Sequence, residues 1–259
     1  MPGKQENIKR LLNKRYEQYN HVSFIDTDPI SLPRRFTHQP DIEIAGFFAA
    51  IFAWGNRTTI INKTSELLQL MNNQPHQFVL HYSAGDIARL TGFKHRTFCF
   101  DDLLYFIEFF HRHYREQPSL ETAFTQFMQP ADITVEGALN GFRRYFFAEE
   151  HARRTEKHIA SPELNSACKR LNMFLRWMVR TDRRGVDFGI WKNIKPAQLV
   201  CPLDVHVAKN ARALGLLQRK QNDWAAALEL TAALRRFDER DPVKYDFALF
   251  GMGVFEKGV

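Results

Sequence analysis

The stretch Cys201-Pro202-Leu203-Asp204-Val205-His206-Val207-Ala208-Lys209-Asn210 marks the start of a helix. Asp204 follows Pro-Leu and is a natural N-cap, because its side chain can accept hydrogen bonds from the free N–H groups of a first helical turn. The apolar spacing that follows predicts a helix over Val205–Leu214. The stretch also holds a carboxylate and an imidazole two residues apart, so it is a candidate for acid–base chemistry.

Helical spacing of apolar residues recurs along the rest of the chain, and no segment shows the alternation of a half-buried strand. The sequence therefore predicts an all-α fold. The predicted helices cover Asn7–Tyr19, Asp41–Trp54, a segment capped by Asn56, Asp101–Arg115, Leu120–Met128, Val135–Phe147, Ala167–Arg180, Val205–Leu214, Asp223–Arg235 and Pro242–Val254. Loops are predicted over Asp26–Pro40, Gly85–Phe100, His151–Asn165 and Thr181–Leu203.

The length of 259 residues and the hydrophobic content of 44% allow one large domain or two lobes that share a core. We expect a single unit over 1–259 with two helical lobes. One lobe combines 1–40 with 205–259, and the other spans 41–204.

The cysteine count argues against several classes of protein. Cys99, Cys168 and Cys201 are odd in number and far apart, which excludes a disulfide scaffold, a zinc ribbon and a four-cysteine cluster built from them. The first residues are polar, and the most apolar window, Ile42–Trp54, is too short to span a bilayer. We therefore expect a cytoplasmic protein without membrane contact.

Positive charge is concentrated in the second half of the chain. The net charge is +7, and residues 153–220 hold 15 basic and 5 acidic side chains. Such a local excess suits a phosphate backbone or another polyanion. The alternative is a solvated basic surface with no ligand.

Lys169 and Asp204 are the candidate catalytic residues. Ser166 is a natural N-cap that would place Lys169 at the third helical position, where the helix dipole favours the neutral, nucleophilic amine. Asp204 could accept a proton from that amine or stabilise a developing sugar cation. The alternatives are an ordinary solvated lysine and a helix cap without a catalytic role.

Basic residues near these two helix starts are candidate DNA contacts, namely Arg170, His206 and Lys209, because phosphates bind basic side chains and free N–H groups. Asp246 and Phe250 are four residues apart and share a helical face. A ring beside a hydrogen-bond acceptor could hold a flipped base. The alternatives are a solvated basic helix for the first group and a core ring with a surface carboxylate for the second.

Pro202–Val207 resembles the segment that carries the essential aspartate of helix-hairpin-helix DNA glycosylases. In that superfamily a nucleophilic lysine lies in the first turn of an earlier helix, and Lys169 matches it. The long separation of Lys169 from Asp204 is closer to the archaeal 8-oxoguanine glycosylase branch than to endonuclease III. Ala45–Leu68 is similar to the early helix pair whose connecting turn enters the duplex, which implies DNA contacts for Asn56 and Arg57.

The resemblance implies a base-excision DNA glycosylase with associated β-lyase activity. With help from Asp204, Lys169 would expel an oxidised purine such as 8-oxoguanine and form a Schiff base with the sugar, and Asp246 and Phe250 would bind the base. This chemistry would need no metal and no cofactor. The implied partner is damaged double-stranded DNA, which predicts a nucleoid-associated monomer. The Ser166–Arg180 and Pro202–Leu214 segments also resemble an uncharacterised bacterial family, the domain of unknown function 2400, and we expect membership in it.

The chain departs from the glycosylase pattern at two places. The Gly-x-Gly turn of the hairpin is replaced by Pro162-Glu163-Leu164-Asn165-Ser166, where asparagine can adopt the left-handed conformation that glycine usually supplies. The four-cysteine iron–sulfur cluster of endonuclease III is missing. The alternative functions are a DNA-binding protein of the same fold without catalysis and a helical interaction protein with no nucleic-acid role.

Overall fold

The structure is a computed structural model that describes residues 2–256. Every regular element in that range is a helix, which confirms the all-α prediction. The α-helices are α1 (Pro2–Tyr19), α2 (Gln39–Ile51), α3 (Arg57–Leu70), α4 (Pro75–His81), α5 (Ala84–Leu90), α6 (Phe100–Tyr114), α7 (Thr122–Thr125), α8 (Glu136–Phe146), α9 (Lys169–Val179), α10 (Val205–Ala213), α11 (Trp224–Arg235) and α12 (Asp246–Phe255).

The contacts divide the chain into two compact units. Unit 1 takes residues 1–24, 129–139 and 161–259, and unit 2 takes residues 25–128 and 140–160. The lobe boundaries expected from the sequence, 1–40 with 205–259 and 41–204, stay a prediction.

Unit 1 is organised around α12, which packs against α1 and α10. Gly251 lets the ring of Tyr19 approach the α12 backbone, since a Cβ there would lie 2.2 Å from Tyr19 Cδ2. On the α10 side, Asn210 Nδ2 donates a 2.8 Å hydrogen bond to the Leu249 carbonyl. These contacts fix the positions of α10 and α12, whose first turns carry the candidate residues Asp204 and Asp246.

Unit 2 has an aromatic core around α2. The ring of Phe47 lies 5.5 Å from that of Phe110 and 5.8 Å from that of Phe142, measured between centroids. The one charged residue buried in α2, Glu43, accepts hydrogen bonds from the Tyr114 hydroxyl at 2.8 Å and the Leu120 N–H at 2.9 Å. These bonds satisfy a carboxylate that would otherwise be costly to bury.

Two helices were not expected from the sequence. The loop predicted over Gly85–Phe100 is wrong in its first part, because α5 covers Ala84–Leu90. A reciprocal capping box starts this helix: Ser83 Oγ accepts from the Asp86 N–H, and Asp86 Oδ2 accepts from the Ser83 N–H. The other unexpected helix is α4, which begins at Pro75, a residue that fits a first helical position.

Several predicted helices differ in their bounds: α1 begins at Pro2 instead of Asn7, and α12 begins at Asp246 instead of Pro242. The helix predicted over Leu120–Met128 contracts to the single turn of α7. In α2 the N-cap is His38 rather than Asp41, so Asp41 lies inside the first turn and the helix ends at Ile51 instead of Trp54. The Asp41 carboxylate instead accepts a 2.8 Å hydrogen bond from the His76 N–H at the start of α4.

Within residues 2–256, no helix combines the length and apolar character that crossing a membrane requires.

The contact between Gly251 and Tyr19 gives a stability prediction. Gly251→Ala should lower the free energy of unfolding by about 1–3 kcal/mol, because the new methyl group overlaps a buried ring. Chemical denaturation measures the change. Gly85→Ala is the matched control, since its Cβ would lie 3.6 Å from the nearest atom, Ser83 Oγ, and it should stay within about 0.5 kcal/mol of the parent chain. Equal stability of the two variants would show that α1 and α12 do not pack this closely.

Candidate active site

Lys169 is the first residue of α9, not the third. The N-cap is Cys168, whose backbone is left-handed with φ of 49°, so the prediction that Ser166 caps this helix is wrong. Ser166 Oγ instead accepts a 3.1 Å hydrogen bond from the Cys168 N–H. Because the backbone of Cys168 is left-handed, the helix begins only at the next residue, Lys169, and Ser166 lies outside it.

The Lys169 side chain is half-buried. Its amine makes no hydrogen bond and no ion pair with any residue in 2–256. A lysine amine at a helix start that forms no ion pair with a carboxylate is available to a ligand.

Asp204 caps α10, as predicted. Its Oδ1 accepts hydrogen bonds from the His206 and Val207 N–H groups, each at 2.9 Å. Within the described residues, Oδ2 accepts no hydrogen bond. The cap therefore fixes the carboxylate and leaves one oxygen for another partner.

The pKa of the buried Asp246 is influenced by both Lys169 and Asp204. It is the first residue of α12, only 4% exposed, and its Oδ2 lies 2.5 Å from Arg176 Nη1. Burial raises the pKa of Asp246 to about 6, Arg176 opposes the rise, Asp204 adds to it and Lys169 lowers it. Asp204 and Lys169 thus both lie within electrostatic range of one buried carboxylate.

The raised pKa has a consequence for stability. The native state holds the Asp246 proton more tightly than the unfolded chain does, where an aspartate has a pKa of about 3.9. The contribution of Asp246 to stability therefore decreases as the pH rises from about 4 to about 6.

Arg176 was not found from the sequence. It lies on the buried side of α9, and its guanidinium is 4.3 Å from the Phe247 ring centroid and 3.3 Å from Asp187 Oδ1. The available signal was an arginine inside the apolar run Met173-Phe174-Leu175-Arg176-Trp177. A charge in such a run requires a buried partner, although the sequence does not say which.

The remaining candidates of unit 1 surround these helix starts. His206 and Lys209 are exposed on α10, and Lys209 forms no ion pair within residues 2–256. Phe250 is half-buried, with its ring edge-on to the His206 ring at a centroid distance of 6.4 Å. Arg170 is half-buried as well, and burial lowers its pKa to about 10.

The hairpin turn has the conformation that asparagine was expected to permit. Pro162–Leu164 forms one turn of 3₁₀ helix, and Asn165 follows it with φ of 55°. Ser166 then pairs with Asp223, the N-cap of α11, through an isolated β-bridge. The turn that leads to Lys169 is thereby fixed without glycine.

Asn56 and Arg57 lie in unit 2, at the start of α3. Asn56 is exposed and caps the helix by accepting a 3.2 Å hydrogen bond from the Thr59 N–H, as predicted, while Arg57 is half-buried. The sequence did not reveal their neighbour Arg96, whose guanidinium stacks 4.6 Å from the Trp54 ring centroid. Gly55 permits this approach, since it has φ of 105° and its Cβ would lie 2.5 Å from Arg96 Nη1.

No group of three or more His, Cys, Asp or Glu side chains in residues 2–256 is arranged to hold a metal ion.

A family model described as "Protein of unknown function (DUF2400)" matches residues 28–255. The chain belongs to the DUF2400 family. This confirms the family membership expected from the Ser166–Arg180 and Pro202–Leu214 segments. No curated protein and no solved structure matches the chain. All the candidate residues, from Asn56 to Phe250, fall within the DUF2400 match.

In this DUF2400 protein, the pKa of Asp246 should respond to its two neighbours in opposite directions. Lys169→Gln should raise it above about 6 because a positive charge is lost, and Asp204→Asn should lower it because a negative charge is lost. The ¹³C carboxyl shifts of aspartate-labelled protein, followed over pH, measure both changes. Lys14→Gln, which removes an exposed charge on α1, is the control and should have no effect. If the pKa of Asp246 is the same in all three variants, neither Lys169 nor Asp204 acts electrostatically on this carboxylate.

The cap at Asp204 can be separated from any chemical role. Asp204→Ala removes the acceptor for two N–H groups and should lower the free energy of unfolding by about 1 kcal/mol. Asp204→Asn keeps a capping oxygen and should leave stability within about 0.5 kcal/mol of the parent chain. Thermal and urea denaturation measure both. If alanine has no effect, the two N–H groups do not depend on this side chain.

Proposed function

We propose that this protein is a base-excision DNA glycosylase with β-lyase activity that uses Lys169 as its nucleophile. One observation carries the proposal: the unpaired Lys169 amine and the fixed Asp204 carboxylate both lie within electrostatic range of Asp246. An amine with a nearby proton acceptor is what nucleophilic attack on a sugar carbon requires. The resemblance of Pro202–Val207 to helix-hairpin-helix glycosylases supports the same reading.

The proposed reaction divides the chemistry between two side chains. The neutral Lys169 amine attacks C1′ of the damaged nucleotide and forms a C–N bond, while the bond from C1′ to the base breaks and the base leaves with its electron pair. Asp204 accepts the proton that the amine loses and can return it to the leaving base. The nitrogen lone pair then opens the sugar ring, O4′ takes up a proton from water, and a protonated Schiff base remains on Lys169. A water molecule removes a proton from C2′, the electron pair of that C–H bond forms a C2′–C3′ double bond, and the phosphate leaves C3′ with its electron pair, which cleaves the strand.

The charge distribution supports duplex DNA as the ligand. The excess of basic residues over 153–220 includes Arg170, the second residue of α9, and Lys209, which lies about one turn into α10. Unit 2 has a basic turn of its own, where the stacked Arg96 neighbours Asn56 and Arg57. Basic side chains near helix starts hold phosphates and position the duplex without reading its sequence.

For base recognition we assign the stacking surface to Phe250, whose half-buried ring lies beside His206. Asp246 is buried on Arg176, so its effect on a flipped base would be mainly electrostatic. An oxidised purine such as 8-oxoguanine is the proposed lesion, and this assignment rests on Asp246 and Phe250.

Borohydride trapping tests the proposal. Duplexes that contain 8-oxoguanine or an abasic site should give a covalent adduct with the parent protein and none with Lys169→Gln. Asp204→Asn, which keeps the helix cap, should reduce the trapping rate by about 10²-fold or more because proton transfer is impaired. Lys14→Gln, an exposed lysine of α1, is the control and should trap like the parent protein.

Two outcomes favour the alternatives. Duplex binding with a steep salt dependence and no adduct on either substrate would identify a DNA-binding protein without catalysis. The absence of salt-dependent duplex binding would favour a helical interaction protein with no nucleic-acid role.

A further inference from the structure

The residue before Lys169 has an unusual backbone conformation. Within residues 2–256, the non-glycine residues with positive φ are Asn72, Asn73, Arg96, Asn165 and Cys168. Asparagine tolerates this region because its short amide can bond to the nearby backbone, whereas the thiol of cysteine is only a weak hydrogen-bond donor. Such conformations persist where the surroundings hold them, and they are concentrated at functional sites.

Several contacts hold Cys168 in place. Its N–H donates to Ser166 Oγ at 3.1 Å, and its thiol donates to the Ser166 carbonyl at 3.3 Å. Its carbonyl accepts the first helical bond of α9, from the Asn172 N–H at 2.8 Å. Asn172 Nδ2 also donates to the Ala167 carbonyl at 3.0 Å. The side chain of Cys168 is 1% exposed, so neighbouring atoms surround it on all sides.

We infer that the left-handed backbone at Cys168 is a positioning device for the Lys169 amine. This inference rests on the proposed function for its catalytic consequence. A helical side chain lies over the turn that precedes it in sequence. No such turn precedes Lys169, because Cys168 is the N-cap and the helix begins at Lys169. The side chain therefore extends past the helix end, where it reaches the electrostatic range of Asp246.

A right-handed Cys168 would remove this arrangement. α9 would then continue toward Ser166, and the added turn would lie where the Lys169 side chain now extends. The buried side of α9, including Arg176 on Asp246, would hold the helix in place. The amine alone would be displaced, and a displacement of about 1 Å can reduce a reaction rate by about 10²-fold.

The test compares two substitutions at Cys168 by the pKa of Asp246 and by trapping. Cys168→Val places a β-branched residue where φ is positive, which strongly disfavours the native backbone. The pKa of Asp246 should rise as it does in Lys169→Gln, and trapping at saturating DNA should slow at least 10-fold with DNA affinity unchanged. Cys168→Gly allows the left-handed backbone and should keep the parent pKa and a trapping rate within about 2-fold.

Two further variants keep the test decisive. Asn73→Val is the control, because it places valine at a left-handed position in unit 2. It should leave the pKa of Asp246 and the trapping rate unchanged. If Cys168→Val does not fold, Ser166→Ala replaces it. That change removes the acceptor of the Cys168 N–H and should move the pKa of Asp246 in the same direction by a smaller amount.

The results separate the two claims. A normal Asp246 pKa and normal trapping in Cys168→Val, or an effect of Cys168→Gly equal to that of valine, would overturn the positioning role. In the second case the thiol rather than the backbone would matter. Absence of an adduct with the parent protein, while the pKa of Asp246 responds to Cys168→Val as expected, would overturn the proposed function and leave the positioning of the amine intact.

Discussion

Unit 1 depends on a buried chain of alternating charges beneath α9. Arg176 pairs with Asp246 and Asp187, and Arg180 pairs with Asp187 and, through Nε at 2.9 Å, with Asp241. Arg176 and Arg180 are one helical turn apart, and both guanidinium groups face the Phe247 ring. Removal of one charge from such a chain leaves its partner buried and uncompensated, which typically destabilises a protein by about 3–5 kcal/mol. The chain therefore fixes α9 relative to the start of α12.

This constraint explains why the candidate residues are found at helix starts. Lys169 begins α9, Asp204 caps α10 and Asp246 begins α12. A residue at a helix start has its backbone fixed by the helix while its side chain extends past it. The ion pair of Arg176 with Asp246 joins α9 to α12, and the bond of Asn210 to the Leu249 carbonyl joins α10 to α12. The half-buried side chains of Lys169 and Asp204 are thus attached to helices that are joined by contacts in which neither side chain takes part.

The sequence predicted the parts of this arrangement that depend on local chemistry. The caps at Asp204 and Asn56 follow from one acceptor side chain before a helical pattern, and the left-handed Asn165 follows from the tolerance of asparagine. It did not predict the start of α9, because Ser166 is the better N-cap by residue type. The backbone there is decided instead by Asn172 and by the bridge to Asp223, which are contacts with later parts of the chain. The partner of Arg176 was hidden for the same reason, since 70 residues separate it from Asp246.

The charges at the site nearly cancel, whereas the segment 153–220, which contains most of the site residues, is strongly basic. Lys169 and Arg176 are positive, and Asp204 and ionised Asp246 are negative, while burial raises the pKa of the neighbouring Cys201 thiol well above its usual range and keeps it neutral. These four groups sum to zero when Asp246 is ionised, and Asp187, which also pairs with Arg176, adds one negative charge. Because phosphates are attracted to net positive charge, the backbone of the proposed DNA ligand would be attracted more strongly by the exposed basic residues of 153–220 than by the site. In the proposed reaction, a site without net positive charge would leave the Lys169 amine free for a sugar carbon, whereas a strongly positive site would hold a phosphate on it.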